Sequence, residues 1–220
     1  MIKMKVIDWG LIPYSKSYEQ QKELFAIALQ NKAENKTVEN KLILCEHPPV
    51  ITIGKNGLSA NLLFPEEMLK EKNVELYQVD RGGDITYHGP GQLVGYPILD
   101  LESFHIGLKE YIHRMEEVII RTVASLGIQA ERLEGATGVW IDTDKPGKAR
   151  KIAAIGVRSS RYVTMHGFAL NVNTDLSYFR LINPCGFTDK GVTSVEKETG
   201  CVQDMNVIKE SLKANFEQLF

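Results

Sequence analysis

The chain has 220 residues, a length typical of one large domain or two small ones. Hydrophobic residues make up 43% and charged residues 25%, which excludes disorder, collagen and a coiled coil as descriptions of the whole chain. The formal net charge of −2 lacks the basic excess that is usual in proteins that bind duplex nucleic acid.

The pattern of apolar residues and cysteines limits compartment and cofactor chemistry. The longest stretch without Asp, Glu, Lys or Arg, Ile85–Leu99, is too short to span a bilayer and is interrupted by prolines and glycines. The N-terminal sequence MIKMKVIDWG is not followed by an apolar run, so we expect a cytoplasmic protein without a signal peptide. Cys45, Cys185 and Cys201 form no CxxC pair, which argues against disulfides and a cysteine-rich zinc site. We expect neither a metal nor a cofactor.

The first half of the chain predicts strands interspersed with two helices. Ser17, followed three residues later by Gln20, has the spacing of a capping box and predicts the start of a helix there. Pro65 suits the first turn of a second helix that continues to Lys72. The predicted strands are Val6–Trp9, Leu42–Cys45, Val50–Ile53, Val74–Val79 and Ile85–Tyr87.

The second half contains the strongest helical pattern, with apolar residues at helical spacing from Leu108 to Leu126 and Gly127 as its end. A short helix over Asp175–Ile182 and an amphipathic helix over Val207–Leu219 follow later. The strands predicted between them are Gly138–Ile141, Ile152–Arg158 and Val163–Val172. This order predicts an α/β or α+β fold, a mixed β-sheet flanked by helices. We expect one domain over residues 1–220, with a small C-terminal subdomain from about residue 187.

Cys185 is the candidate nucleophile because it lies on a turn. Pro184 restricts the backbone before it and Gly186 frees the backbone after it, so the sulfur can be presented outward. The alternative is a small apolar residue that fills the turn, since free cysteine is commonly a buried hydrophobe. Cys45, in the apolar run LILC, is predicted to lie in the core.

A thiol nucleophile needs a group that favours the thiolate. A cysteine with a pKa of about 8.5 is only ~3% ionised at pH 7. Lys151, at the head of an apolar strand, could supply that charge, although a solvated lysine at a strand edge is common. A Cys–His pair is the other option, with His88 and His166 as candidates; His105 and His113 are predicted to be solvated or structural.

Glycines and small residues form two further candidate features. The segment Arg81–Gln92 matches neither a phosphate-binding loop nor a dinucleotide fingerprint, but its glycines allow close approach to a ligand. A hairpin-rich turn region is the alternative. Small residues on the later strands leave volume for an apolar ligand or a packed helix. Basic residues concentrated between Lys145 and Arg161 could steer an acidic partner, or could simply be solvated.

Together these segments resemble the lipoyl(octanoyl) transferase family. The resemblance covers roughly the second half of the chain plus the segment that begins at Arg81. The matching stretches are RGGDITYHGPGQLVGYPILDL (Arg81–Leu101), GVW (Gly138–Trp140), KIAAIGVRSSRYVTMHGFALNVNTDLSYFRLINPCG (Lys151–Gly186) and GVTSVE (Gly191–Glu196).

The resemblance implies a fold shared with biotin and lipoate ligases, and an acyl transfer reaction. The family moves octanoyl from acyl carrier protein to a lysine of lipoyl domains, such as those of 2-oxoacid dehydrogenases and the glycine cleavage H protein. Its nucleophile falls on Cys185 and its assisting lysine on Lys151, and the reaction proceeds through a cysteine thioester without ATP. We expect a monomer. The implied acyl-binding residues are Arg81, Gly82, Gly83, Asp84, Ile85, Thr86, Tyr87, His88, Ala154, Ile155, Gly156, Gly167, Phe168 and Ala169.

Three other functions fit parts of the sequence. An ATP-dependent lipoate or biotin ligase would activate a free acid and would need no cysteine. A non-catalytic module that binds acyl carrier or lipoyl domains would not need Cys185 and Lys151. A thioester hydrolase would release free octanoate without an acceptor protein.

Overall fold

A computed structural model describes residues 4–183 and 190–220. Its helices are α1 (Tyr14–Ala33), α2 (Glu66–Glu71), α3 (Leu108–Ala124), α4 (Val195–Thr199) and α5 (Met205–Leu219), with short 3-10 turns at Ser59–Asn61 and Leu176–Leu181. Its strands are β1 (Lys5–Leu11), β2 (Lys41–Glu46), β3 (Val50–Ile53), β4 (Glu75–Gln78), β5 (Ile85–His88), β6 (Gln92–Ile98), β7 (Glu131–Leu133), β8 (Ala136–Ile141), β9 (Arg150–Ser160), β10 (Val163–Asn171) and β11 (Gly191–Val192). No helix in either described range is both long and apolar enough to cross a membrane.

The described strands form two sheets. The larger runs in the order β1-β2-β6-β10-β9-β8-β7, with β11 paired to β9, and it contains parallel and antiparallel pairs. The smaller sheet has the order β4-β3-β5. The predicted mixed sheet flanked by helices is therefore confirmed.

Helices cover both faces of the larger sheet, so its central strands are buried on both sides. In β2, Leu42 and Leu44 point into one cluster with α3 and α5, while Ile43 and Cys45 point into a second cluster with α1. This period of two explains why the run LILC is wholly apolar. Cys45 has no exposed surface, which confirms its predicted place in the core.

Helix α1 begins earlier than predicted. It starts at Tyr14, directly after Pro13, whose carbonyl accepts a hydrogen bond from the Ser17 amide at 3.1 Å. Ser17 is buried within the helix and its hydroxyl accepts from Gln21 Nε2, so the predicted capping box is wrong. Pro13, whose ring restricts its φ to −54°, marks the start of α1. The spacing of Ser17 and Gln20 had placed that start three residues too late.

Strand β6 was not predicted, because Gly95 and Pro97 interrupt its apolar pattern. All seven of its residues are nevertheless buried, between β2 and β10. Gly95 lies opposite Phe168 in the β6–β10 pair. A Cβ at Gly95 would lie 2.2 Å from the Phe168 ring, so this glycine makes room for an aromatic side chain and does not mark a turn.

We predict that Gly95→Ala destabilises the protein by about 1–3 kcal/mol, because the added methyl group overpacks the Phe168 ring. The matched control is Gly191→Ala, where a Cβ would meet Arg150 Cβ at an ordinary 3.6 Å. Urea unfolding at pH 7 measures both variants. Equal unfolding free energies for the two would contradict this account of β6.

Candidate active site

A cavity of about 350 Å³ lies on the α1 face of the larger sheet, where the smaller sheet covers it. Its floor comes from β6, β8, β9 and β10, and its cover from β5 and the segment before β5. Twelve of the fourteen residues implied for acyl binding line it: Arg81, Gly83, Asp84, Ile85, Thr86, His88, Ala154, Ile155, Gly156, Gly167, Phe168 and Ala169.

The other two, Gly82 and Tyr87, are not among the residues that line the cavity. The Gly82 amide instead donates to Val157 O at 2.8 Å and ties the 81–84 segment to β9. Tyr87 packs on the far side of β5, where its ring stacks on Tyr178 at 4.8 Å between centroids. Strand alternation turns the neighbouring Thr86 and His88 to the cavity, whereas Ile85 contacts both the cavity and the apolar cluster that contains Tyr87.

Lys151 lines the cavity because β9 contains a bulge. In the pairing with β8, Val139 lies opposite Ala153 but Trp140 lies opposite Lys151, so Ile152 is an extra residue on β9. Ile152 and Ala153 consequently both pack into the α3 cluster. The bulge turns Lys151 to the cavity face, which it shares with Ala154.

Trp140 is the aromatic neighbour of Lys151. The Lys151 Nζ lies 4.6 Å from the centroid of the indole, a distance typical of a cation–π contact. The indole Nε1 donates to Ala136 O at 2.9 Å, which fixes the ring. The lysine ammonium is thus held at the cavity by a ring that neither accepts its proton nor neutralises its charge.

Small residues form the middle of the cavity floor. Ala154 on β9 pairs with Ala169 on β10, which pairs with Val94 on β6. Two positions further toward the 81–84 segment, Gly156 pairs with Gly167. Glycine is required there for close approach: a Cβ on Gly156 would lie 2.9 Å from Gly82 O. This row leaves space for a hydrocarbon chain.

The cover is held by a buried guanidinium. Arg81 Nη2 donates to Thr52 O at 2.7 Å and to the Thr52 hydroxyl at 3.0 Å, and Nη1 donates to Gly82 O. The Thr52 hydroxyl in turn lies 3.5 Å from His88 Nε2. Arg81 therefore joins β3 to the segment that closes the cavity.

The same network continues along one wall of the cavity. Gln92 Nε2 donates to Tyr87 O and to Asn171 Oδ1, so Gln92 Oε1 is the acceptor that faces His88 Nδ1 at 2.8 Å. Asn171 Nδ2 donates to Thr193 O at 2.9 Å. His88 therefore carries its proton on Nδ1, and the buried polar groups of this wall are joined in one chain.

Two buried histidines next to the cavity are held neutral. Burial lowers the pKa of His88 to about 3 and that of His47 to about 4. His47 Nδ1 donates to Ile12 O and its Nε2 accepts from the Tyr96 hydroxyl, both at 2.7 Å. Neither group is therefore available as a proton acceptor for a substrate at neutral pH.

His166 also lines the cavity, with ion-pairing groups behind it. Its Nε2 lies 2.8 Å from Asp80 Oδ1, and its ring stacks on Tyr18 at 5.7 Å. Asp80 also pairs with Arg158 and accepts from the Tyr18 hydroxyl. The hydrogen bond from His166, together with the nearby charge of Arg158, lowers the pKa of Asp80 to about 2. Burial lowers the pKa of His166 itself.

The basic residues predicted as a steering cluster are partly neutralised. Arg150 pairs with Asp142 and with Glu198, and Lys145 pairs with Asp142. Arg158 pairs with Asp80, and Lys151 lines the cavity. Steering of an acidic partner by this cluster stays a prediction, with a smaller exposed charge than the sequence indicated.

Cys185 lies outside the described residues, so its predicted role stays a prediction. Lys190, Gly191 and Val192, which follow it in the chain, line the cavity. Cys201 is exposed. His105 and His113 are exposed as well, which agrees with the solvated alternative predicted for them. No group of three or more His, Cys, Asp or Glu within the described ranges could hold a metal ion.

Several cavity residues were missed by sequence reasoning. Tyr14 lies on α1, remote in sequence from the predicted site, Tyr96 lies on the unpredicted strand β6, and Phe179 was assigned only to a short helix. Trp140, Tyr96 and Phe179 all stand in stretches that carry the family resemblance, which was the signal available for them. The lining residues that were not predicted as site residues include Tyr14, Gln92, Val94, Tyr96, Thr137, Trp140, Asn171, Phe179, Lys190 and Val192.

Comparison with known proteins finds one matching family and many similar proteins. The family described as lipoyl protein ligase A/B catalytic domain matches residues 18–217. A curated octanoyltransferase from Parabacteroides distasonis is 58% identical, over 97% of this chain and 96% of its own. One from Bacteroides thetaiotaomicron is 54% identical, over 99% of this chain and 96% of its own.

Solved structures share the fold at low sequence identity. A bipartite lipoate protein ligase from Thermoplasma acidophilum superposes with a TM-score of 0.72 at 15% identity, covering all of this chain and 84% of its own. A biotin protein ligase from Aquifex aeolicus gives a TM-score of 0.52 at 12% identity, over 100% of this chain and 69% of its own. These likenesses confirm the expected fold.

The neutral histidines predict how stability depends on pH. Their folded-state pKa values lie below the unfolded value of about 6.5, so the unfolded chain binds more protons below that pH. The free energy of unfolding should therefore fall as pH is lowered from 7 to 5, by about 1 kcal/mol per unit for each histidine below 6.5. Urea titrations at several pH values measure this slope. His47→Gln should reduce it and the exposed His113→Gln should not; a stability independent of pH across this window would contradict the assignment.

Proposed function

The chain belongs to the lipoyl protein ligase A/B catalytic-domain family, and on this basis we propose that it is an octanoyltransferase. It moves octanoyl from octanoyl-acyl carrier protein to a lysine of a lipoyl domain, the first step of protein lipoylation. The observation that carries this proposal is the near full-length similarity to curated octanoyltransferases. We further propose that it works as a monomer in the cytoplasm.

The cavity suits such an acyl group. Its floor is a row of small residues with Val94 beside them, and Ile85 and Phe168 add apolar lining. Burial of a hydrocarbon chain contributes about 0.8 kcal/mol per methylene.

We propose that the acyl group passes through Cys185. The thiolate attacks the carbonyl carbon of the donor thioester, and the carrier's thiol leaves with a proton, so one thioester replaces another. The acceptor lysine amine then attacks the same carbon, an amide forms, and the Cys185 thiolate leaves. No redox partner or nucleotide is needed, because the energy of the donor thioester drives both steps.

Lys151 is the described residue best placed to assist. Its ammonium, held over Trp140, would favour the Cys185 thiolate by charge and, once deprotonated, could take the proton of the attacking amine. The neutral, hydrogen-bonded His88 is a poor alternative for this work. This supports a lysine-assisted reaction over a Cys–His pair that includes His88.

Two rival functions differ in what they require. An ATP-dependent ligase of the same fold would need nucleotide and free acid, and a binding module would transfer nothing. We predict octanoyl transfer from octanoyl-acyl carrier protein to a lipoyl domain in the absence of nucleotide. The measurement is the gain in mass of the lipoyl domain. Transfer that requires ATP and free octanoate would instead identify a ligase. Release of free octanoate without an acceptor would identify a hydrolase.

Lys151→Ala should slow the transfer about 100-fold or more, because the reaction loses the charge that favours the thiolate and the group that accepts the proton. It should also raise the apparent pKa for alkylation of Cys185, measured as the rate of iodoacetamide labelling against pH. Lys148→Ala, at an exposed lysine of the preceding loop, is the control. An alkylation profile unchanged by Lys151→Ala would remove the activating role.

A further inference from the structure

The cavity has two chemically different ends along β9. At one end lies Lys151 with Trp140, and from there the floor continues through Ala154 to Gly156. At the other end lies His166, which is paired with Val157 on β9. Five residue intervals separate Lys151 from Gly156, which is about 16 Å at ~3.3 Å per residue, slightly less across the bulge.

The end at His166 is closed by hydrogen bonds to His166 and to Val157, which lie opposite each other on β10 and β9. The Gly82 amide donates to Val157 O at 2.8 Å, and Asp80 Oδ1 lies 2.8 Å from His166 Nε2. The 80–82 segment is thus fastened to β9 and β10 at the same level of the sheet. Asp80 in turn is held by Arg158 and by Tyr18.

The His166 ring is fixed in position by its backbone and by its neighbours. Its φ of +62° lies in the left-handed region, which residues other than glycine uncommonly adopt, with asparagine, aspartate and histidine enriched among those that do. The side chain is 2% exposed, and its ring stacks on Tyr18. A ring held at this point is a rigid wall and cannot easily move aside for a longer ligand.

We propose that His166, positioned by Asp80, is the end stop of the acyl chain and sets the preference for octanoyl over longer chains. This inference rests on the proposed function, in which the acyl carbonyl lies at the Lys151 end. An extended octanoyl chain has seven C–C bonds of about 1.5 Å and spans about 9 Å as a zigzag. The remaining length of the floor accommodates the Lys151 side chain and the thioester.

The test compares donors of increasing chain length with His166 variants. His166→Gly removes the ring and suits the positive φ, so the backbone is not strained by the change. Burial of each further methylene is worth about fourfold, so the decanoyl-to-octanoyl ratio of kcat/KM should rise by roughly 15-fold. His166→Asn also tolerates this conformation and is smaller than histidine, so its ratio should rise by a lesser factor.

The assay uses the full chain, octanoyl-, decanoyl- and dodecanoyl-acyl carrier proteins, and a lipoyl domain as acceptor, without nucleotide. Trp140→Phe is the matched control, because it alters the cavity at the Lys151 end. It should lower the rate with every donor and leave the decanoyl-to-octanoyl ratio unchanged. Thermal melting of each variant identifies loss of folding.

The outcomes separate this inference from the proposed function. If the chain without substitutions transfers no acyl group from any donor, the proposed function fails. If it transfers octanoyl but a folded His166→Gly keeps the original ratio, the end stop is wrong. If His166→Gly does not fold, His166→Asn decides: an unchanged ratio overturns the proposal and an increased ratio supports it.

Discussion

The close approach of the 81–84 segment to β9 is the constraint on which the cavity depends. A backbone carbonyl at Gly82 can lie over Gly156 only because that residue has no Cβ, and the Gly82 amide then reaches Val157 O. This contact makes the segment a wall of the cavity, and Arg81 fastens the same segment to Thr52 on the smaller sheet. Without it, the small residues of the floor would form an open groove.

The polar groups around this apolar cavity are arranged so that few of them face the ligand as charges. His88 and His47 are neutral and each has both ring nitrogens near a polar partner, and the charge of Asp80 is met by Arg158 behind His166. The ammonium of Lys151 lies at one end only. The cavity therefore combines a hydrocarbon-binding middle with the Lys151 ammonium at one end. The Arg81 guanidinium near Gly156 is bonded to Thr52 and to Gly82 O.

Much of the fold was predictable from local pattern. The helix α3, with its apolar residues at helical spacing, and strands such as β3 follow directly from periodicity. Strand β6 does not, because its Gly95 is explained only by Phe168 on a strand remote in sequence. The start of α1 was misplaced because a proline boundary and a capping-box spacing competed within a few residues.

The candidate site was predictable only in part. The glycine-rich segment and the small residues of β9 and β10 could be singled out from composition, and the family resemblance joined them into one site. Tyr14, Tyr96 and Phe179 could not, since each reaches the cavity through tertiary packing. The orientation of Lys151 also depends on a bulge whose extra residue, Ile152, carries no sequence signal.

The central claim is that the acyl group is carried on Cys185. The most direct measurement is the intact mass of the protein after mixing with octanoyl-acyl carrier protein without ATP, with Cys185→Ser beside it. The account predicts a gain of one octanoyl group that hydroxylamine removes and that the variant does not acquire. An unmodified mass under all trapping conditions, or the same adduct on the variant, would contradict it.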